Sequence, residues 1–570
     1  MRILQTDVAI VGGGAAGCYA ALKLREKGIE PLIICKGWVG KSGASLFAGN
    51  LVISGGLLGN TEEQARNTAE FLIKYHNQFL IDQNWARRCG KWIEQVYYPE
   101  LEAAGLYFRR DDDGNIVTSP GKIKSVAANV QGNSGVPFMD LRRKQIIRAG
   151  IARLEETVVT ALMQDPNGKV IGVFALDYLN GEYVVVQAKA VILATGYSDR
   201  LHMRSTGTRE MSADGVAMAW RAGATLANLE MQWWHTNDLA HPPTWQRMQI
   251  YPNPMLGSEK SARMVNSDGE EFFNQQVDDP LAFGPYTLQL KALARQVHAG
   301  KARYDGGYYA GFDHCDAGEV EAYTTYAKTF KQLGMHFPQD LMETAVTAHY
   351  RQGGIDVDTT TMRSSVPGLY VAGGLGGHSN GLIALATFDG NVVAEGVAND
   401  FPRLAHGEIP ENSIDIERRR LERLRSQNGS VSPVSVKETL RRIMWDKAGV
   451  EKDSAGLNSA LEDIQRLRLE TLPQLHIAYK GRATNYEWLD VIDLINMIDV
   501  CELIIHSSLE RKESRGPFMR RDFPMMDNVH WVAANLMIKT ANGFQFEKRG
   551  YDLPYFKPDF VTRNNMEVGW

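Results

Sequence analysis

Three glycines spaced Gly12-x-Gly14-x-x-Gly17 are the residues best placed to hold a charged chemical group. In such a pattern Gly12 makes a tight turn and Gly14 lets the backbone approach a pyrophosphate. Gly17 lets a helix pack closely on the preceding strand. The free N–H groups opening that helix, backed by about half a positive charge from aligned peptide dipoles, then hold phosphates. An apolar strand (Val8, Ile10, Val11) leads into the glycines, and Ala15 and Ala16 open a helical run that Gly28 is placed to stop. A second strand, Pro31 to Cys35, completes the βαβ length that gives the pattern its force and points to a dinucleotide. A ribose-binding acid is expected about 20 residues after the glycines. The second strand instead ends Ile34-Cys35-Lys36-Gly37, which argues against an ordinary nicotinamide dehydrogenase.

Two further stretches could do chemistry. Ala190-Val191-Ile192-Leu193-Ala194-Thr195-Gly196 is a buried-type strand ending in a small turn, a second dinucleotide signature once Gly12 to Gly17 is in place. Gly377-His378-Ser379-Asn380-Gly381 fits the G-x-S-x-G elbow of a serine hydrolase, with Asp389 and His406 or His506 downstream as partners for Ser379. A hydrolase, however, leaves the glycine motif and Ala194-Thr195-Gly196 without a role and places Asp389 on the helix itself. It is the remote alternative.

The elements that must position these residues follow from pattern. At 570 residues and 44% hydrophobic content the chain can bury several cores. Its net charge of −5 offers no basic footprint for nucleic acid. The five cysteines (Cys18, Cys35, Cys89, Cys315, Cys501) have spacings that suit neither an iron–sulfur cluster nor zinc nor a disulfide framework, which points to a reducing cytoplasm. The start of the chain leaves no room for a signal peptide, and no apolar run reaches spanning length, so any membrane contact would be peripheral and come through a partner. Residues 61–110 read as helices. Val158 to Met163, Val170 to Tyr178 and Tyr183 to Val186 read as a β-meander joined by Pro166-Asn167-Gly168 and Asn180-Gly181 turns. Residues 230–344 are aromatic and irregular, residues 345–405 return to strand–loop–helix, and residues 412–540 are helical and charged.

Longer motifs now carry a resemblance. Glu230-Met231-Gln232-Trp233-Trp234-His235, Thr347-Ala348-His349-Tyr350-Arg351-Gln352-Gly353-Gly354, and Gly368-Leu369-Tyr370-Val371-Ala372-Gly373-Gly374 followed by Ser379-Asn380-Gly381-Leu382 occur in order. Glu513-Ser514-Arg515-Gly516 with Arg520, Arg521, Asp522 and Trp531 follows. Together they resemble the flavoprotein subunits of the succinate dehydrogenase and fumarate reductase family, with aspartate oxidase and the adenylylsulfate reductase alpha subunit, over roughly residues 5 to 540. The resemblance implies an α/β, Rossmann-like two-dinucleotide-binding flavoprotein fold with an inserted α+β capping domain and a C-terminal helical domain. The expected divisions are an FAD-binding domain (1–229 and 345–405), a capping domain (230–344), a helical domain (412–540) and a tail (541–570).

It also implies FAD and two-electron hydride chemistry at flavin N5. The cofactor would be held by Gly12, Gly14, Ala15, Ala16, Gly17, Lys36, Ser42, Gly43, Ala44, Ala194, Thr195, Gly196, Gly373, Gly374, Ser379, Asn380 and Leu382. Three departures shape the expectation. Gly43 stands where family members that oxidise succinate carry the histidine that bonds the flavin, so FAD is expected to be non-covalent. Tyr286, after Gly284-Pro285, replaces a proton-delivering arginine. Gly376-Gly377-His378 replaces the segment with a carboxylate-clamping arginine. Losing two guanidiniums removes bidentate anion recognition and makes a C4-dicarboxylate an unexpected substrate. Gly374 likewise replaces a family acid beside the flavin. Candidates for proton transfer are then His349, His235, Tyr286 and His378. The implied partners are a small-molecule substrate and an iron–sulfur, ferredoxin-like electron-transfer subunit. The alternatives are an adenylylsulfate reductase-like subunit, or a flavin electron-transfer subunit without its own substrate.

Overall fold

The computed structural model describes residues 1–54, 62–108, 110–116, 124–126, 134–241, 244, 263–273, 284–303, 307–315, 317, 327–332, 334–378 and 381–564. Its main sheet has nine strands among these residues. At its centre Glu182–Leu193 runs parallel to β1 (Arg2–Val11) on one side and to Leu369–Val371 on the other. β2 (Pro31–Ile34) and then Ala152–Leu154 extend the sheet beyond β1. The strand ends Val8 to Val11, Val191 to Leu193 and Leu369 to Val371 are buried continuously, as parallel strands covered on both faces should be. α1 (Ala15–Glu26) covers one end, and Gly28, at φ +75°, ends it in the left-handed region that favours glycine.

The meander is present, with one revision. Thr157–Gln164 and Val170–Asp177 form its first two strands, but the third and the Ala190-to-Leu193 strand are a single 12-residue element. That element pairs antiparallel with Val170–Asp177 at one end while lying parallel to β1 along most of its length, so the meander is welded directly to the nucleotide-binding sheet.

Among the described residues the capping region is a five-stranded sheet ordered Gln232–Leu239, Met342–Arg351, Tyr308–Gly311, Arg263–Val265, Glu271–Phe273. Met342–Arg351 continues past the boundary expected at residue 344, because its C-terminal half pairs with Gln232 to His235. Trp233 and Trp234 are buried in the apolar core of this sheet with Tyr308, Phe312 and Met342. Trp245 and Tyr251 lie outside the described residues.

Helices Pro433–Ala448, Ser454–Arg466 and Tyr486–Glu510 make the expected bundle. The region is not wholly helical. Ala533–Thr540 and Gly543–Gly550 form a hairpin across the expected boundary at residue 540, and its first strand pairs with Leu226–Ala227 of the nucleotide-binding part. The residues of the C-terminal motif are structural. Arg511 bridges Glu230 and Glu513, and Arg515 grips both oxygens of Glu513 at 2.8 and 2.9 Å, all fully buried. No helix of the described residues is long and apolar enough to cross a membrane.

Candidate functional site

Three strands end level with one another. Val11 pairs with Leu193, and Leu193 with Val371. Ala194 N donates to Val11 O at 2.8 Å and Ala372 N to Leu193 O at 2.9 Å, so the turns at Gly12, Ala194 and Gly373 leave one sheet edge side by side. That edge, at the carboxyl ends of parallel strands, is where open α/β sheets bind ligands. A Cβ at Gly12 would overlap the Ala194 carbonyl oxygen, and one at Gly17 would overlap the Gly12 carbonyl oxygen. Gly14 caps α1 without any side-chain hydrogen bond of its own; the Ala15 amide is taken by Ser45 Oγ, and the amides after it open the helix toward the sheet edge, where an anion fits. Helix Ile383–Asp400, with Leu382 as its N-cap, packs against α1, and a Cβ on its Gly390 would press on Ala16 O at 2.6 Å. The cradle fits the pyrophosphate of a dinucleotide.

Around it the structure adds residues that motif reading missed. Ala15 N donates to Ser45 Oγ at 3.1 Å, which brings the loop after Ser42, Gly43 and Ala44 onto the helix start. Gly43 has φ +80° and open space where a side chain would go. Tyr197, directly after Ala194-Thr195-Gly196, is half-buried over Gly374 and Gly381, and a Cβ at either glycine would run into its ring. The acid expected near Gly374 is therefore replaced for a steric reason: the tyrosine already fills that volume.

Lys36 behaves differently from the expectation of a cofactor contact. Its ammonium is buried against Ser212 Oγ at 2.7 Å, Asp214 Oδ2 at 2.9 Å and Asp493 Oδ1 at 2.5 Å. These carboxylates more than offset its burial and hold its pKa above the ordinary lysine value. The side chain ties the nucleotide-binding sheet to helix Tyr486–Glu510.

The histidines separate into two groups. His235 and His349 lie on neighbouring antiparallel strands with ring centroids 3.8 Å apart. Trp234 pairs with Ala348 and Trp233 with Tyr350, which leaves His349 as the extra residue of a β-bulge. A bulge re-aims a side chain, and here it turns His349 onto His235. Thr206 Oγ1 lies 2.7 Å from His349 Nδ1 and orients the ring. Burial, reinforced by His235, holds the His349 pKa well below the usual histidine range. At neutral pH His349 is thus an uncharged imidazole, able to accept a proton or to hydrogen-bond a substrate group.

His378 belongs elsewhere. Its Nε2 lies 3.2 Å from Asp389 Oδ1, and Trp85 packs edge-on at 5.1 Å. Asp389, wholly buried, also accepts from Trp85 Nε1 and from Gly373 N, each at 3.1 Å. His378 thus positions the turn at Gly373 and stands in a network apart from the His235–His349 pair. The same network commits Asp389 to His378, Trp85 and Gly373 and not to His406 or His506, the histidines the hydrolase alternative would need, and His506 packs on Phe544, 4.9 Å between ring centroids. Ser379 and Asn380 lie outside the described residues, as does the Tyr286 side chain within helix Gly284–His298. Among the described residues no cluster of His, Cys, Asp and Glu could hold a metal ion.

Comparison with known proteins agrees with this geometry. Residues 7–387 match the family model described as FAD binding domain, and residues 437–562 match Fumarate reductase flavoprotein C-term. The chain belongs to the fumarate reductase and succinate dehydrogenase flavoprotein family. It is an FAD-dependent oxidoreductase. It is 26% identical to one of the subunits of the CoM/CoB fumarate reductase of Methanothermobacter marburgensis, over 92% of this chain and 95% of that one. It is likewise 26% identical to the L-aspartate oxidase of Pseudomonas aeruginosa, over 91% and 96%. The fold superposes on Mycobacterium smegmatis Sdh1 with a TM-score of 0.84 at 24% identity, over 98% of this chain and 96% of that one. For the adenylylsulfate reductase of Archaeoglobus fulgidus the TM-score is 0.77 at 18% identity, over 97% and 96%, a likeness of fold alone.

Proposed function

We propose that this chain carries out two-electron chemistry on a small unsaturated or otherwise reducible substrate other than a C4-dicarboxylate, and that it holds FAD without a covalent bond. The observation that carries the reading is the His235–His349 pair, set beside one another by a β-bulge in the motif that the family resemblance marks. When bound, FAD supplies the reversible acceptance of a hydride equivalent at its isoalloxazine ring. The chain supplies the rest. Gly12, Gly14, Gly17 and the Ala16 amide would hold the pyrophosphate, with Ala15, whose own amide donates to Ser45 Oγ, beside them. Ala194, Thr195, Gly196, Gly373, Gly374 and the start of helix Ile383–Asp400 would border the remainder. His349, uncharged and oriented by Thr206, gives or takes the proton that accompanies hydride transfer, with His235 beside it. Tyr286 remains a second proton donor in this proposal. Gly43 in place of a histidine leaves no nucleophile at that position, which supports a dissociable flavin.

Electrons would be exchanged with an iron–sulfur partner protein. Support comes from the relatives, several of which are named as subunits, and from five cysteines whose spacing suits no iron–sulfur cluster within this chain. Those cysteines form no disulfide, which suits a reducing compartment. The test is anaerobic. The bound flavin is reduced, and an enoate, an enoyl thioester and adenylylsulfate are offered in turn. Reoxidation by one of them, lost in His349→Ala, is the expected result. Silence toward all three would overturn the reading in favour of an electron-transfer subunit. Acid precipitation should leave the flavin in solution, and flavin remaining with the protein would overturn the non-covalent assignment.

A further inference from the structure

Tyr197 stands among the positions that would border the flavin, and its neighbours fix where its ring lies. A Cβ on Gly374 would meet three of its ring carbons at 2.0 to 2.6 Å, and one on Gly381 would meet its hydroxyl oxygen at 1.8 Å. The ring is therefore held between two stretches of backbone, with its hydroxyl at Gly381. The next residue, Leu382, is the N-cap of helix Ile383–Asp400. The same side chain packs on the capping core, where the ring of Tyr350, the residue after His349, has its centroid 6.1 Å away. Tyr197 thus sits where the turn at Gly373 meets the strand that carries His349.

The hydroxyl is the unused part of this side chain. Tyr197 is half-buried, and its hydroxyl has no hydrogen-bond partner among the described residues. Tyrosine hydroxyls drawn out of water usually find one. The nearby carboxylates do not serve. Asp199 and Asp389 act on the phenol only through their charge, and Asp389 is already committed to Trp85, Gly373 and His378. Burial and those two charges raise the Tyr197 pKa well above the ordinary tyrosine value, so the group is a neutral donor at physiological pH.

The sign of charge decides what a donor in this place does. Reduction of a flavin puts negative charge on the pyrimidine part of its ring system. An acid at position 374, which the family resemblance leads one to expect, would oppose that charge. A phenol that donates to it acts the other way, and a hydrogen bond to an ionised acceptor is stronger than one to a neutral acceptor. The adjoining start of an 18-residue helix has the same sign of effect.

We infer that Tyr197 is a flavin-contacting residue whose hydroxyl donates a hydrogen bond to the pyrimidine part of the isoalloxazine ring and so favours the reduced cofactor. The exchange of an acid for a tyrosine then sets the redox poise as well as filling the volume over Gly374. This inference rests on the proposed function, since it concerns the same cofactor.

The test compares the FAD-loaded full chain with Tyr197→Phe, which keeps the ring between its two glycines and removes only the oxygen. Each protein is reduced anaerobically in equilibrium with a reference dye of known potential. At equal dye poise the ratio of reduced to oxidised flavin should fall about tenfold in Tyr197→Phe, the lower end for a hydrogen bond to a charged group. For a two-electron couple that is about 30 mV toward lower potential. FAD content and Tm should stay unchanged, and the visible absorption bands of the oxidised flavin should shift. A merely structural tyrosine would move neither readout. An equal or higher ratio in the variant, superimposable spectra, or loss of FAD from the variant alone would each overturn the inference. Wild-type protein that takes up no FAD would instead strike the reading on which it rests, so the two failures are distinguishable.

Discussion

Replacing Lys36 by Met separates a structural role for this residue from the cofactor contact that the family resemblance implies. In the folded chain the ammonium touches Ser212, Asp214 and Asp493, with the three charged side chains only 14, 10 and 7% exposed. Removing one partner of a buried pair costs about 3–5 kcal/mol, because the other charge is left buried and unpaired. Two neighbours soften the loss. Lys437 Nζ stands 3.6 Å from Asp493 Oδ2, and Asn496 donates to Asp214 Oδ1 at 2.7 Å. The lower end, about 3 kcal/mol, is therefore expected. With an unfolding entropy of about 2.1 cal/mol/K per residue, a 570-residue chain melting as one unit loses about 2.5 °C in Tm. The sign with pH is fixed as well. Lys36 and its hydrogen bonds hold the Asp214 pKa below its ordinary value of 3.8, so the Asp214 share of this stability is complete above about pH 4 and is lost as pH falls through its folded value, whereas burial raises the Asp493 pKa above 3.8 and that pairing is lost from a higher pH. The gap between wild type and Lys36→Met should then be full at pH 7, begin to narrow above pH 4 and narrow further below it. The assay is a pair of thermal melts at each pH, with FAD content measured per folded chain. An unchanged Tm together with lost FAD would refute the reasoning and return Lys36 to the cofactor.

Gly17→Ala should abolish the flavin absorbance of the purified protein, since its Cβ overlaps the Gly12 carbonyl oxygen, whereas Gly28→Ala, with open space around it, should keep the yellow colour at a cost of about 1 kcal/mol. Burial keeps His76 (pushed down to about 3), His202 and His349 uncharged in the folded chain. The unfolded chain takes up these protons first, so stability should fall by up to about 4 kcal/mol per pH unit as pH drops below 6.5; equal melts at pH 7 and pH 5 would contradict this. Thr206→Val should leave FAD content intact and slow reoxidation of reduced flavin by the active acceptor about tenfold, because His349 loses its orienting partner; an unchanged rate would place the proton elsewhere.

The nucleotide-binding turn was legible because everything that makes it lies within one βαβ unit. Gly12, Gly14 and Gly17 answer to β1 and α1, their neighbours in sequence as well as in space. The motif around His349 was legible too, and so was the position of helix Ile383–Asp400. The hairpin at Ala533–Gly550 carries a local signal in Asn542 of its two-residue turn, followed by Gly543 at the start of the second strand, one that the helical character of the surrounding region masks. Other decisions required the folded chain. The role of Lys36 was not legible because its carboxylates lie 178 and 457 residues away. Tyr197 explains Gly374 only when both are seen on the same packed surface. His349 meets His235, and Thr206 reaches His349, through one bulge and one bridge between segments more than 100 residues apart.

Turn chemistry is short-ranged, since a glycine's freedom is spent on the residues beside it, and a single stretch of sequence can therefore announce it. The placing of charges and imidazoles depends on strand register, and register is a property of two distant segments at once. It comes into being only when the sheet closes.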